Sequence, residues 1–171
     1  MIFKYDKKLL FLMIILLISA VYFSISHYLI EGNRIKVVIL FVLITFILFN
    51  LLSILRRKIE LKDNVIIVKS LLGMKQIKYD EIKDAVFLYL KGRTVLILAD
   101  DEKFVFISSV VEDFEKIIDL LKDKVSNDIN NKLSLFDYKR NNKSKKLLYF
   151  FLIVAVVFFF IFGTFNFYTS L

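Results

Sequence analysis

The sequence predicts an α+β membrane protein with three transmembrane helices and a small antiparallel β-sheet, or half-barrel, of about six strands capped by a C-terminal helix. Two observations carry this prediction. Within 171 residues, three stretches of 22, 19 and 25 residues contain no Asp, Glu, Lys or Arg. Between the second and third stretches, apolar residues recur first with a period of two and then with a period of 3.6.

The three charge-free stretches, residues 9–30, 37–55 and 147–171, are predicted to be transmembrane helices. About 20 apolar residues cross a bilayer core as a helix, and a helix satisfies its own backbone hydrogen bonds where water is absent. Lysines precede the first stretch, as they would in a signal peptide. The apolar run is longer than the roughly 7–15 residues of a signal-peptide core, so we expect it to be retained.

Residues 1–56 are therefore expected to form an N-terminal transmembrane hairpin that turns at Gly32 and Asn33. Basic residues follow its second span and precede the third span of the chain: Arg56, Arg57, Lys58, Lys139, Arg140, Lys143, Lys145 and Lys146. Lys and Arg near span ends stay in the cytoplasm. We therefore expect the N-terminus and residues 56–146 to be cytoplasmic and the C-terminus to lie outside the membrane.

These membrane-flanking basic residues are interpreted as anchors that orient the helices in the membrane. A second interpretation is that they contact anionic lipid head groups. Without them, residues 59–138 carry 12 basic and 15 acidic side chains. Nucleic-acid binding needs a basic surface, so we expect no nucleic-acid partner. The expected partners are the lipid bilayer and a protein of unknown identity, and the oligomeric state stays open.

The middle segment is divided into strands by its period-two pattern and its turn residues. The predicted strands are residues 58–62, 65–68, 75–79, 85–90, 94–98 and 104–107. Gly73 and Gly92 fall at predicted turns, where glycine adopts a positive φ without steric cost. A helix over residues 109–125 is then predicted, because Ser109 and Glu112 have the spacing of a capping box and apolar residues recur on one face. Residues 126–146 are polar and are expected to form a basic linker.

The strand pattern followed by one amphipathic helix resembles the bacterial pleckstrin-homology-like (PH-like) domains, many of which are tethered by transmembrane helices. The resemblance covers residues 57–125. Two runs carry it: Ile77-Lys78-Tyr79-Asp80-Glu81-Ile82, and Phe104-Val105-Phe106-Ile107-Ser108 leading into the helix. It implies a strongly bent sheet closed at one end by the helix. It does not imply phosphoinositide binding, because the first turn, Lys62-Asp63-Asn64, carries too little positive charge.

Three polar residues inside the predicted spans are candidate functional residues, since ionisable and polar groups in a bilayer are costly. They are His27, Asn50 and Asn166. His27 and Asn166 fall at similar depth near the outer face, so a hydrogen bond between them is predicted to help the helices assemble. The alternative for His27 is proton or ligand handling. Asn50 is expected to bind a neighbouring helix or the backbone. Gly163 is expected to permit close helix contact.

No catalytic, cofactor-binding or metal-binding residues are predicted. The chain has no Cys, and its only His lies in a span, so a thiol nucleophile and a histidine base in the middle segment are excluded. Abundant Phe, Ile and Lys without Pro or Trp are typical of an AT-rich bacterial genome, which indicates a bacterial inner membrane. We expect a non-enzymatic regulatory or interaction module. The alternative is a small helical membrane protein that acts through its spans, as a transport-accessory or immunity-type subunit.

Overall fold

The architecture comes from a computed structural model, which describes residues 1–31, 34–71 and 73–170. Within those residues lie five α-helices and two antiparallel sheets, of four and three strands. They form two compact units. Unit 1 comprises Met1–Lys7 and Arg56–Leu148, and unit 2 comprises Lys8–Leu55 and Tyr149–Leu171.

Three of the helices are long and apolar enough to cross a membrane. They are α1 (Lys7–Glu31), α2 (Arg34–Arg56) and α5 (Tyr138–Ser170). The first two contain the predicted spans 9–30 and 37–55, and α5 contains the third span up to residue 170. The predicted turn at Gly32 and Asn33 lies outside the described residues.

The two sheets belong to unit 1 and follow chain order. The first contains β1 (Ile2–Phe3), β2 (Lys58–Leu61), β3 (Val65–Ser70) and β4 (Gly73–Lys78). A short 3₁₀ turn, Tyr79–Glu81, leads to the second sheet. That sheet contains β5 (Asp84–Leu90), β6 (Arg93–Ala99) and β7 (Phe104–Ser108). The six strands predicted from alternation are confirmed, with ends that move by up to two residues.

The strand β1 was not predicted from the sequence. Ile2 pairs with Glu60 and Phe3 with Ile59, so the start of the chain is an edge strand of the first sheet. Tyr5 then bridges to Val111 beyond β7. A strand of two residues is too short to show a period, and its neighbouring lysines look like an ordinary membrane flank.

Two short helices complete the core of unit 1. They are α3 (Phe114–Lys122) and α4 (Asn127–Ser134). The apolar stripe of α3, which includes Ile117, Ile118 and Leu121, is fully buried. The ring of Phe136 after α4 lies 5.0 Å from that of Phe87 on β5, between ring centroids. Burial of these side chains supplies the main driving force for folding of the unit.

The predicted start of the 109–125 helix is wrong, because the helix begins at Phe114. Ser109 is buried, and its Oγ accepts a hydrogen bond from the backbone N–H of Thr94 at 2.9 Å. The backbone N–H of Glu112 donates to the carbonyl of Lys4 at 2.8 Å. Both residues of the expected capping box are therefore held in contacts with β6 and the N-terminal segment.

The linker expected at 126–146 also differs from the structure. The helix α4 occupies its first half, with Ile129 and Leu133 buried on one side. Its second half is the polar beginning of α5, where Asn141 is buried. Two apolar residues spaced i, i+4 are enough to dock a short helix, although the segment is polar overall.

Candidate functional site

The outer surface of the β5–β6–β7 sheet is the most unusual feature of unit 1. Val86 on β5 pairs with Ile97 on β6, which pairs with Phe106 on β7. Leu88 pairs with Val95 in the next outward-facing row. These side chains and their neighbours form what we call the apolar face: Val86, Leu88, Leu90, Val95, Ile97, Phe104 and Phe106.

Five residues of the apolar face are exposed, and Val95 and Ile97 are half-buried, in contrast to the opposite side of the same sheet. Phe104 retains 54% of its accessible surface and Val86 49%. On the other side, Leu96, Leu98 and Ile107 are fully buried in the core. An antiparallel sheet with one solvated side normally alternates apolar and polar residues. A contiguous exposed apolar surface on a folded unit marks an interaction site.

Charges of both signs border the apolar face at the end distant from the β5–β6 turn. Lys83 pairs with Asp101. Lys132 on α4 pairs with Asp84 at 2.6 Å between Nζ and Oδ1. The hydrogen bond from Lys132 holds the pKa of the Asp84 carboxyl below its usual value, with a smaller lowering from the Ala85 backbone N–H. The pairs balance in charge, so this border favours neither a strongly acidic nor a strongly basic partner.

One lysine lies directly beside the apolar face. The Nζ of Lys75 on β4 donates to the carbonyl of Phe104 at 3.3 Å. The same Nζ lies 5.7 Å from the centroid of the Phe106 ring. Lys75 therefore joins the edge of the first sheet to the edge of the second.

The acidic turn between β6 and β7 is held by its own backbone. Asp100 Oδ1 accepts hydrogen bonds from the N–H groups of Glu102 and Lys103, at 2.7 and 2.6 Å. The bond from Glu102 is the main cause of the lowered pKa of Asp100. This carboxylate therefore acts as a turn residue.

The structure places the membrane-flanking basic residues in unit 1 and gives two of them structural partners. The guanidinium of Arg57 donates to the Tyr5 hydroxyl at 3.0 Å. The guanidinium carbon of Arg140 lies 4.5 Å from the centroid of the Tyr89 ring on β5. The remaining residues of the set are exposed or half-buried: Arg56, Lys58, Lys139, Lys143, Lys145 and Lys146.

The three polar candidates in the spans lie in unit 2, and each has a contact within its own helix. The His27 ring stacks on Phe23, with 5.9 Å between centroids. The Asn50 amide donates to the carbonyl of Phe46 in its own helix at 2.8 Å, as expected for a backbone partner. The carbonyl of Asn166 accepts from Thr169 Oγ1 at 3.0 Å. The hydrogen bond between His27 and Asn166 stays a prediction.

The sequence did not indicate which residue Gly163 contacts. Tyr22 of α1 lies so close to Gly163 of α5 that a Cβ on the glycine would sit 2.7 Å from two ring carbons. The Tyr22 hydroxyl lies 3.3 Å from Thr164 Oγ1. The only signal for this contact was the single glycine of α5, which indicates close approach but does not name the partner.

Comparison with protein-family models, with curated proteins and with solved structures finds no match to this chain. Any functional conclusion therefore rests on the geometry of the chain itself. Among the features above, the exposed apolar face most favours an interaction with another molecule.

Proposed function

We propose that the chain is a membrane-anchored, non-enzymatic interaction module. In this proposal α1, α2 and α5 cross a bacterial inner membrane, and unit 1 is a cytoplasmic PH-like domain that binds a protein partner. The single observation that carries the proposal is the apolar face of the β5–β6–β7 sheet. It exposes large apolar side chains on a unit whose core is otherwise well buried.

The surfaces of the long helices support membrane insertion. Phenylalanines are exposed on α2 and on α5, among them Phe41, Phe46, Phe151 and Phe160. In water, each such side chain would cost free energy roughly in proportion to its exposed apolar area. In a bilayer, the same side chains would contact lipid tails.

The pairing of β1 with β2 supports the proposal that all of unit 1 lies on the same side of the membrane. Residues 1–7 precede α1, and β2 follows α2 directly. Strands of one sheet cannot lie on opposite sides of a bilayer, so the two helices between them must cross an even number of times or not at all. The basic residues around Arg56 and Lys139 favour the cytoplasmic side.

The order of elements in unit 1 supports the PH-like assignment. Two antiparallel sheets are followed directly by the amphipathic helix α3. This is the pattern on which the resemblance depends, extended by the N-terminal strand β1. Function does not follow from such a fold, so the partner must be argued from the surface.

A protein is favoured over a bilayer as the occupant of the apolar face. Surfaces that insert into membranes surround their apolar residues with Lys and Arg. Here the distant border carries the paired charges Lys83–Asp101 and Lys132–Asp84. Charges of both signs at this border are typical of the polar rim of a protein interface.

Site-specific photo-crosslinking tests this proposal. The photoreactive amino acid benzoylphenylalanine replaces Phe106 in the full chain, expressed in the cells from which it comes. We expect a protein adduct of defined mass, identified by mass spectrometry. The matched control places the same probe at Leu135, which is exposed in unit 1 outside the apolar face. That control should give no such adduct, and Leu88→Asp should abolish the adduct at position 106.

The outcomes separate the two functional classes. An adduct with another protein, or with a second copy of the chain, supports a protein-binding face when Leu88→Asp removes it. The absence of an adduct, or an adduct with lipid alone, contradicts the proposal. If Leu88→Asp leaves cellular function intact while substitutions in α1 or α5 remove it, the chain acts through its membrane-spanning helices, as in the alternative given above.

A further inference from the structure

The turn between β5 and β6 packs on α5 at the point where that helix becomes apolar. Gly92 at the turn lies against Leu148, and a Cβ on Gly92 would lie 3.5 Å from the Leu148 Cβ. Gly92 has a φ of +98°, which a side chain would strain. Leu148 is the second residue of the charge-free stretch that begins at residue 147.

A second set of contacts holds β5 to the preceding turns of α5. The Arg140 guanidinium stacks over the Tyr89 ring. The backbone N–H of Asp137, just before α5, donates to the Tyr89 hydroxyl at 2.8 Å. The β5–β6 hairpin is thus fixed along the polar beginning of α5, and its turn reaches the end of that polar segment.

This packing brings together basic residues that are distant in the sequence. Lys91 and Arg93 are exposed on either side of Gly92. Lys145 lies three residues before Leu148, and residues at i and i+3 share a helix face. Lys146 and Lys143 continue the positive charge along α5. Residues 85–99 and 138–171 contain no Asp or Glu to offset it.

We propose that Lys91 and Arg93 of the β5–β6 turn, together with Lys145 and Lys146 of α5, form a binding site for the phosphate of an anionic phospholipid head group. The inference rests on the proposed membrane function. The site lies where α5 passes from polar to apolar residues, which is the depth at which head-group phosphates meet an inserted helix. Each basic residue near an anionic membrane surface strengthens binding about fivefold, and Arg and Lys are the usual donors to phosphate oxygens.

Lipid selectivity of the full chain tests the site. The protein is reconstituted in phosphatidylcholine vesicles that contain spin-labelled phosphatidylglycerol or spin-labelled phosphatidylcholine, and the fraction of lipid immobilised by the protein is measured. We expect a preference for phosphatidylglycerol. The variant Lys91→Gln/Arg93→Gln should remove that preference, because each of the two basic residues contributes about fivefold. Both side chains are exposed, so folding should persist, and protease resistance of unit 1 checks this.

A matched variant and a soluble competitor decide the outcome. Lys103→Gln/Lys116→Gln removes the same charge from exposed residues outside the site and should leave the preference unchanged. An equal loss in both variants, or no preference in the unmodified chain, overturns the inference. The preference is also measured in sodium phosphate and in sodium chloride at equal ionic strength. If only phosphate removes the preference, the ligand of the site is free phosphate, and the inference is overturned. If alkaline carbonate extracts the protein from the vesicles, the proposed membrane function is contradicted. If the protein stays inserted but shows no lipid preference, only this site is contradicted.

Discussion

At the scale of single residues, the contact between Tyr22 and Gly163 organises unit 2. The Tyr22 ring lies between Phe160 and Phe167, with centroids 5.7 and 5.4 Å away. Together with Gly163 and Thr164, these residues have the spacing i, i+3, i+4, i+7, which forms a hole for one side chain of a facing helix. Helices in lipid gain little from apolar burial and depend on such close packing.

We predict that Gly163→Val separates α1 from α5. The new side chain would overlap the Tyr22 ring, since even a Cβ there lies 2.7 Å from ring carbons. Overpacking of this kind costs about 1–3 kcal/mol, more than the modest gain in helix propensity over glycine. Thermal unfolding in detergent, followed by circular dichroism, should show a lower midpoint.

The control for this substitution adds volume to α5 away from the contact. Val154→Ile changes an exposed side chain and should leave the midpoint unchanged. Tyr22→Ala combined with Gly163→Val should recover part of the lost stability, because the double variant removes the overlap. Equal effects of the glycine substitution with and without Tyr22 would show that this contact does not organise the helices.

At the scale of elements, the N-terminal strand β1 ties the start of the chain to the fold of unit 1. Phe3 is 7% exposed, whereas the preceding Ile2 is 64% exposed. The two residues are adjacent in the same strand, yet only one of them faces the core. They therefore offer a matched test of whether this strand contributes to stability.

We predict that Phe3→Ala destabilises unit 1 by about 3 kcal/mol, as for a large buried aromatic side chain. Ile2→Ala should change the stability by no more than about 0.5 kcal/mol, because surface substitutions have small effects. The urea concentration at which a protease begins to cut between α2 and α5 measures both in the full chain. Equal urea midpoints for the two variants would show that β1 does not pack on the core.

The sequence predicted the elements that have a repeating hydrophobic pattern. It missed those whose ends or existence depend on contacts between residues far apart in the chain. Alternation, as in 58–62, and short apolar or β-branched runs between turn residues, as in 65–68, indicated the six main strands. The start of α3 could not be predicted, because Ser109 and Glu112 satisfy a capping pattern that β6 and the N-terminal segment override. The helix α4 was obscured by its polar composition, since only Ile129 and Leu133 mark its buried side.

The candidate site was partly visible in the sequence. Residues 85–90 are apolar at every position, which indicates a strand with two apolar sides. Which side meets the core depends on the register with β6 and on where α3 and α4 dock, and local pattern contains neither. The packing of the β5–β6 turn on α5 likewise depends on the contact between Gly92 and Leu148, which the sequence does not indicate.

At the scale of the whole molecule, the chain leaves unit 1 before α1, returns to it after α2 and leaves it again in α5. If all three apolar helices span the membrane, unit 1 lies entirely on one side and the C-terminal end of α5 on the other. We propose that this first side is the cytoplasm, because Lys and Arg near span ends stay there. This arrangement is the central claim of our account, since both proposed binding surfaces depend on it.

Single-cysteine labelling tests this claim most directly, because the chain has no native Cys. Cysteine replaces Lys4, Asp101 or Tyr168, all of which are exposed, and an impermeant maleimide is offered to intact and to lysed cells. We predict that positions 4 and 101 are labelled only after lysis and that position 168 is labelled in intact cells. Labelling of position 101 in intact cells, or of positions 4 and 101 from opposite sides, would contradict the account.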